Sequence, residues 1–376
     1  MNTRWTVLAL VLSACMPETI DGPDQGPHDE WDDKLAARDT DYNAALRIAA
    51  LRLTGELPTL AQIKQVSELP DLPAKKAAYE TLIRGYLSSP RFARQMFRFW
   101  QDALKMGETP ALDSAPAFVA QLVVENRSYL EVFTATTGTC PSFSLATSQF
   151  TPGSCANGSP VTVGLLTHPG MQQHFASNLA FRRVRWVQET FACTKFPAEI
   201  AAVATDVGGQ VPYTGTFPFT SIAGTVTGGR VDFRDTSSVI CANCHSNINH
   251  IAPLFAYYDA SGIYQATMVA PTPLPDAPPV KMSDYLPTGE GMAWRSGVPI
   301  TDMASLGRAM AADRAISECA IARVWTWALG KQDIVDGASR VPAETIAVQV
   351  DAFIANDHKL RDAVFAVFTS DDFVKF

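Results

Sequence analysis

Two thiols three positions apart, followed at once by an imidazole, are the residues best equipped for chemistry: Cys241-Ala242-Asn243-Cys244-His245. A Cys-x-x-Cys turn presents both sulfurs to one edge of a porphyrin, where they add to its vinyl groups, and the next side chain reaches the iron. The pattern implies one covalent haem c, with His245 as the axial metal ligand. Two other chemistries compete for it. A structural zinc site needs four ligands, usually from a second cysteine pair. No second CxxC or HxxxH exists, although His250 and a lone cysteine could be recruited. A thioredoxin-type dithiol needs a strand before it and a helix after it, and Asp235-Thr236-Ser237-Ser238 lacks the character of a core strand.

The second axial position is open between several residues. Met268, Met282, Met292 and Met303 follow the motif at separations suited to a returning loop, and His174 precedes it beside an arginine cluster. His250 is five residues from His245 and suits the role poorly. The alternatives are bland: Met is a common filler of irregular core gaps, and His174 fits the surface of an amphipathic helix. Arg182, Arg183 and Arg185 could neutralise haem propionates through charge-assisted bonds, or simply form a solvated face. Trp325 and Trp327 fit either a porphyrin contact or a helix core.

The chain that must position these groups has 376 residues and a net charge of −8, which argues against a nucleic-acid-binding surface. Arg4, the apolar run Trp5 to Leu12 and the small residues before Cys15 have the parts of a secretory signal. Leu12-Ser13-Ala14-Cys15 resembles a bacterial lipobox, which makes Cys15 the lipidation site. The apolar run is too short to span a bilayer. This implies a protein of the cell envelope, held to a membrane by its N-terminal lipid and facing the periplasm or the exterior. Disulfides persist in such a compartment. Cys140 and Cys155 bracket a Ser/Thr/Gly-rich stretch, so a local disulfide is expected there, leaving Cys193 and Cys319 to pair over a long separation. Four buried thiols are the alternative.

Periodicity indicates a mainly α fold. Residues 1–15 form the signal and 16–40 an acidic tether rich in Pro and Gly. A helical N-terminal module spans 41–135, with helices over 42–54, 61–69, 74–87 and 92–105. A loop-rich middle module, 136–230, carries one helix over 177–193. A cytochrome-like helical haem module, 231–376, carries helices over 303–310, 315–329, 343–354 and 360–368. Gly208 to Asp232 reads as short strands or an extended excursion, and Ala270 to Val280 as an extended proline-rich segment.

Several stretches resemble one group of proteins. Arg52-Leu53-Thr54-Gly55-Glu56-Leu57-Pro58-Thr59 and Ser88-Ser89-Pro90-Arg91-Phe92 are similar to the N-terminal module of large cytochrome-c-like proteins of uncharacterised function from planctomycetes and myxobacteria. Asn126-Arg127-Ser128-Tyr129-Leu130-Glu131-Val132-Phe133-Thr134 is similar to the bridge that follows. Gly164-Leu165-Leu166-Thr167, His174, Arg182-Arg183 and Trp186 resemble the module leading to the haem motif. Cys319, Trp327-Ala328-Leu329-Gly330-Lys331 and Thr369-Ser370-Asp371-Asp372-Phe373 resemble the last one. The resemblance runs over most of residues 45–376 and implies a histidine kept at position 174. Val184 departs from it, standing where the family usually has glycine.

Three functions fit these observations. An electron carrier needs one haem with both axial positions filled and a redox partner protein. A peroxidase-type enzyme needs an open iron position and distal acid/base groups, and its di-haem form would show two CxxCH motifs. A haem-stabilised binding or scaffold lipoprotein is the third. The single motif favours the electron carrier.

Overall fold

The computed structural model describes residues 30–194, 239–271, 279–286, 289–330 and 341–376. Cys15 with its signal, most of the tether, the stretch from Gly208 to Asp232 and most of the proline-rich segment lie outside the described residues. Contacts divide the chain into residues 1–39 and 40–376. The first unit contributes one short helix, α1 (Glu30–Ala36).

The fold is mainly α-helical, and its helices begin where the sequence supplies caps. Asp41 accepts from the backbone of Asn43 and Ala44 to start α2 (Tyr42–Thr54), which ends on Gly55 in the left-handed region. Thr59 and Gln62 form a capping box ahead of α3 (Leu60–Ser67). Asp71 caps α4 (Leu72–Leu87), and Ser89 with Pro90 at the first helical position starts α5 (Pro90–Leu104). Thr109 and Pro110 do the same for α6 (Pro110–Val124), a helix that periodicity alone does not indicate. Pro116 sits in its interior, buried with its neighbours on every side, so packing offsets the lost backbone bond. The short α7 (Glu131–Thr134) follows.

Among the described residues, the middle region holds a hairpin and two helices beside its turns. Strands β1 (Ser142–Ser144) and β2 (Gln149–Thr151) form a hairpin with Phe143 opposite Phe150. Phe143 packs against Phe97 of α5 with the rings tilted, centroids 4.9 Å apart. A disulfide joins Cys140 to Cys155 across the base of this hairpin. Then come α8 (Pro169–His174) and α9 (Phe181–Phe191). Helix α9 starts later than its apolar pattern indicates, because Leu179 and Ala180 are left-handed, φ 58° and 65°. The motif helix is α10 (Val239–Phe255). Strands β3 (Ala293–Trp294) and β4 (Val298–Pro299) precede α11 (Met303–Ala312), α12 (Arg314–Ala328), α13 (Ala343–Ala355), α14 (Leu360–Phe368) and α15 (Asp371–Val374).

Segments distant in sequence share one core. Helices α12 and α15 pack on α2, and α14 packs on α4 and α6. The buried hydroxyl of Tyr79 donates to the carbonyl of Phe368, 2.6 Å, joining α4 to the end of α14. The second disulfide, Cys193 to Cys319, ties the chain after α9 to the middle of α12. Beside it Arg323 donates to the carbonyls of Thr190 (3.0 Å) and Glu189 (3.2 Å), occupying acceptors that the end of α9 leaves open. No helix among the described residues is long and apolar enough to cross a membrane.

Candidate functional site

Helix α10 carries the CxxCH sequence, and the helix decides which positions act together. Residues 241, 244 and 245 stand at i, i+3 and i+4, so all three fall on one face. The side chains of Cys241 and Cys244 lie outside the described set. His245 is described and partly buried. Its Nδ1 lies 2.9 Å from Oδ1 of Asn249, one turn on. Asn249 Oδ1 only accepts, so Nδ1 carries the proton and the imidazole lone pair is on Nε2. The edge of Phe181 meets the ring at 5.0 Å, and Phe181 meets Tyr285 edge-on at 5.9 Å. Burial holds the imidazole below the usual histidine range, with the Asn249 bond opposing this.

Several hydrogen bonds fix α10 in place. Gln188 of α9 donates to Oδ1 of Asn247, 2.7 Å, with both side chains buried. The buried His250 ring lies 3.2 Å from Glu290. At the C-terminal end the main anchor is Arg183. Its side chain is fully buried, and all five N–H groups meet backbone carbonyls. Nε and Nη2 donate to Gln172 (2.9 and 2.6 Å), and Nη1 donates to Phe255 and Tyr258 (2.9 and 2.8 Å). Nη2 also reaches Asp259 at 2.7 Å. Burial lowers its pKa to about 10, so it stays charged at neutral pH.

Beyond this anchor the chain turns at Asp259-Ala260-Ser261-Gly262. The Asp259 carboxylate accepts from the backbone of Ser261 (2.9 Å) and Ile263 (3.0 Å). Gly262 has φ +76°, and a Cβ there would stand 2.6 Å from the Pro169 carbonyl. Only glycine combines that backbone with that approach.

The residues singled out from sequence separate into distinct settings. Arg183 is no solvated-face residue: every one of its donors meets a main-chain carbonyl, and it caps the motif helix. Arg182 lies over the Phe175 ring at 5.6 Å, and the His174 ring meets the same phenylalanine edge-on at 4.6 Å. His174 and Arg182 are thus brought together, while the adjacent Phe181 meets His245. Arg185 pairs on the surface with Glu189, 2.8 Å. Trp327 packs between Phe99 (5.3 Å) and Phe368 (5.5 Å), and Trp325 is buried in the core. Met268 and Met303 are buried, Met292 is partly buried and Met282 is 40% exposed. Met282 begins a short turn whose Tyr285 packs on Phe181. Motif reading did not single out Phe181, Asn249 or Tyr285. Of these only Asn249 carries a sequence signal, its i+4 spacing from His245.

Residues 32–131 match the model of a family described as PSCyt2, protein of unknown function (DUF1549). That match covers α2 to α6 and ends before α8, α9 and the motif helix. No curated protein matches the chain, and no solved structure matches it.

Proposed function

We propose that this chain is a lipid-anchored envelope protein that carries one haem c and passes single electrons to a redox partner protein. In this reading Cys241 and Cys244 would hold the haem covalently, His245 would offer Nε2 to its iron, and Cys15 would carry the lipid. The observation that carries it is the common face of positions 241, 244 and 245 on α10, with the imidazole oriented by Asn249. A partner on Nδ1 fixes both the tautomer and the ring plane of a metal-binding histidine. Bound haem supplies a reversible one-electron couple. Asn249 sets the orientation of His245, and Phe181 with Tyr285 shields the ring from water. Arg183, Gln188 and Glu290 keep the helix from shifting. The resemblance to cytochrome-c-like proteins of planctomycetes and myxobacteria supports the same reading. His174, Met268, Met282, Met292 and Met303 are the residues that could supply a second ligand.

The test is a visible spectrum of the full chain matured in a haem-attaching periplasm, oxidised, then reduced, then exposed to carbon monoxide. Sharp reduced bands indifferent to carbon monoxide are expected. Of the variants His174→Ala, Met268→Ala, Met282→Ala, Met292→Ala and Met303→Ala, the one that makes the reduced spectrum sensitive to carbon monoxide identifies the second ligand. Sensitivity of the wild type would mean an open iron and would favour the peroxidase-type reading instead. Absence of covalent haem would overturn the proposal.

A further inference from the structure

The two disulfides sit in contrasting surroundings. Cys193 and Cys319 are both buried, 4% and 3% exposed. Cys140 is buried and flanked by buried Thr139 and Pro141, whereas Cys155 is partly exposed between exposed Ser154 and Ala156. Against the buried sulfur stands an imidazole: Nε2 of His168 lies 3.1 Å from Cys140 Sγ. His168 is 1% exposed and belongs to none of the contacts around α10 described above.

Hydrogen bonding fixes the state of that ring. The backbone N–H of Gly170 donates to Nδ1 at 3.1 Å, so Nδ1 carries the lone pair and Nε2 the proton. Besides Cys140 Sγ, Nε2 faces the Ser114 hydroxyl at 3.2 Å, and that hydroxyl donates onward to the Ala111 carbonyl at 3.0 Å. Ser114 therefore accepts, and the Nε2–H is shared between its oxygen and Cys140 Sγ. Burial lowers the His168 pKa to about 4, so the ring is neutral and the donor is present at physiological pH. The ring lies close against Gly170, where a Cβ would stand 3.2 Å from His168 Cε1.

A disulfide sulfur is a poor acceptor and a thiolate a strong one, so this donor is aimed at the reduced state. We propose that Cys140–Cys155 is a thiol–disulfide exchange site that oxidises thiol partners, with His168 as the residue that stabilises the leaving thiolate. A partner thiolate attacks the sulfur of Cys155, the more exposed of the two cysteines. The S–S bond breaks, a mixed disulfide forms on Cys155, and the electron pair leaves on Cys140, where the Nε2–H receives it. A second partner thiolate then displaces Cys155. One partner disulfide is formed and the protein gains two electrons as two cysteine thiolates, protonated from solvent according to pH. A leaving thiol of lower pKa departs faster, and a stabilised reduced form makes the disulfide more oxidising.

The test is equilibration of the full chain in glutathione redox buffers, with each cysteine read by differential alkylation and mass spectrometry. Cys140–Cys155 should be reduced while Cys193–Cys319 stays oxidised. His168→Asn removes Nε2 but keeps an acceptor for Gly170 N–H, since asparagine is itself a good cap. It should shift the equilibrium toward the disulfide by about tenfold, roughly 30 mV for a two-electron couple. In the reduced protein it should raise the pH midpoint for alkylation of Cys140 and leave that of Cys155 unmoved. Ser114→Ala, which leaves the Nε2–H to the sulfur alone, should move the equilibrium the opposite way, and it answers the question even where His168→Asn does not fold. Equal resistance of the two disulfides, or unchanged equilibria in both variants, would overturn the proposal. So would Zn²⁺ uptake by Cys140, Cys155 and His168 that blocks reoxidation, since their ligand atoms lie within 4.8 Å of one another.

Discussion

Replacing Arg183 by methionine isolates the anchor of the motif helix. Methionine keeps most of the aliphatic volume and removes all five donors. The Phe255 and Asp259 carbonyls keep turn bonds from Tyr258 N (3.3 Å) and Gly262 N (3.2 Å). Among the described residues, the Gln172 and Tyr258 carbonyls have Arg183 as their hydrogen-bond partner. Each buried carbonyl left without a donor costs about 1–3 kcal/mol. Removing the buried charge returns part of this, so the net loss should be about 3 kcal/mol, within the range for breaking a buried charged network. At about 2.1 cal/mol/K per residue, residues 40–376 unfold with an entropy of roughly 0.7 kcal/mol/K, and a loss of about 3 kcal/mol lowers Tm by about 4 °C. Calorimetry of the haem-free protein reads this directly. Arg183→Lys should be no better than methionine, because three rotatable N–H groups cannot span four carbonyls and the charge stays buried. A Tm within 1 °C of wild type for R183M, or full rescue by R183K, would refute the capping role. A residue serving a propionate would instead leave the haem-free protein untouched.

Other perturbations give equally definite results. His168 has a folded pKa of about 4 against 6.5 unfolded, so the unfolded chain binds the extra proton. Its contribution is complete above pH 6.5 and is lost as pH falls toward 4, up to about 3 kcal/mol. Urea titrations across that window should show a shallower slope in His168→Asn than in wild type, the remainder coming from His245 and His358, which burial also lowers. Tyr79→Phe deletes the 2.6 Å bond to Phe368 and should cost about 1–2 kcal/mol of unfolding free energy, read by urea midpoint. Gly262→Ala puts a methyl against the Pro169 carbonyl at φ +76° and should cost more than about 2 kcal/mol, with faster hydrogen exchange in α8 and the end of α10.

Much of the helical fold was legible because its starts are chemical. Asp41, Thr59, Asp71 and Ser89 each place a side-chain acceptor over the first turn, and α2 to α5 begin within two residues of where periodicity indicates. The Cys140–Cys155 pair expected from the loop its cysteines bracket, and the Cys193–Cys319 pair expected by elimination, are both present in the structure. Helix α6 escaped because Pro116 reads as a breaker, although Thr109-Pro110 is a start signal. Helix α8 escaped because six residues show no period, although His168-Pro169 has the same form. The hairpin escaped because its strands have three residues each and a single aromatic pair. What could not be read locally is the company of His245: Phe181 lies 64 positions before it and Tyr285 40 after, and no spacing rule joins them.

The arginine cluster shows why composition misleads at such a site. Successive helical residues are about 100° apart, so neighbours face different surroundings. Arg182 meets an aromatic ring, Arg183 enters the core and Arg185 pairs with Glu189. The same rotation makes α9 the joint of the molecule. Trp186 donates from Nε1 to the Leu104 carbonyl at the end of α5, 2.8 Å, while Phe181, Gln188 and Arg183 meet His245, Asn247 and Phe255 of α10. Val184, fully buried, fills core space that a glycine would leave for its neighbours. A change in the pitch of α9 therefore acts on both partners at once. It pulls on the region that matches the uncharacterised family and on the orientation of His245, coupling the stability of one to the geometry of the other.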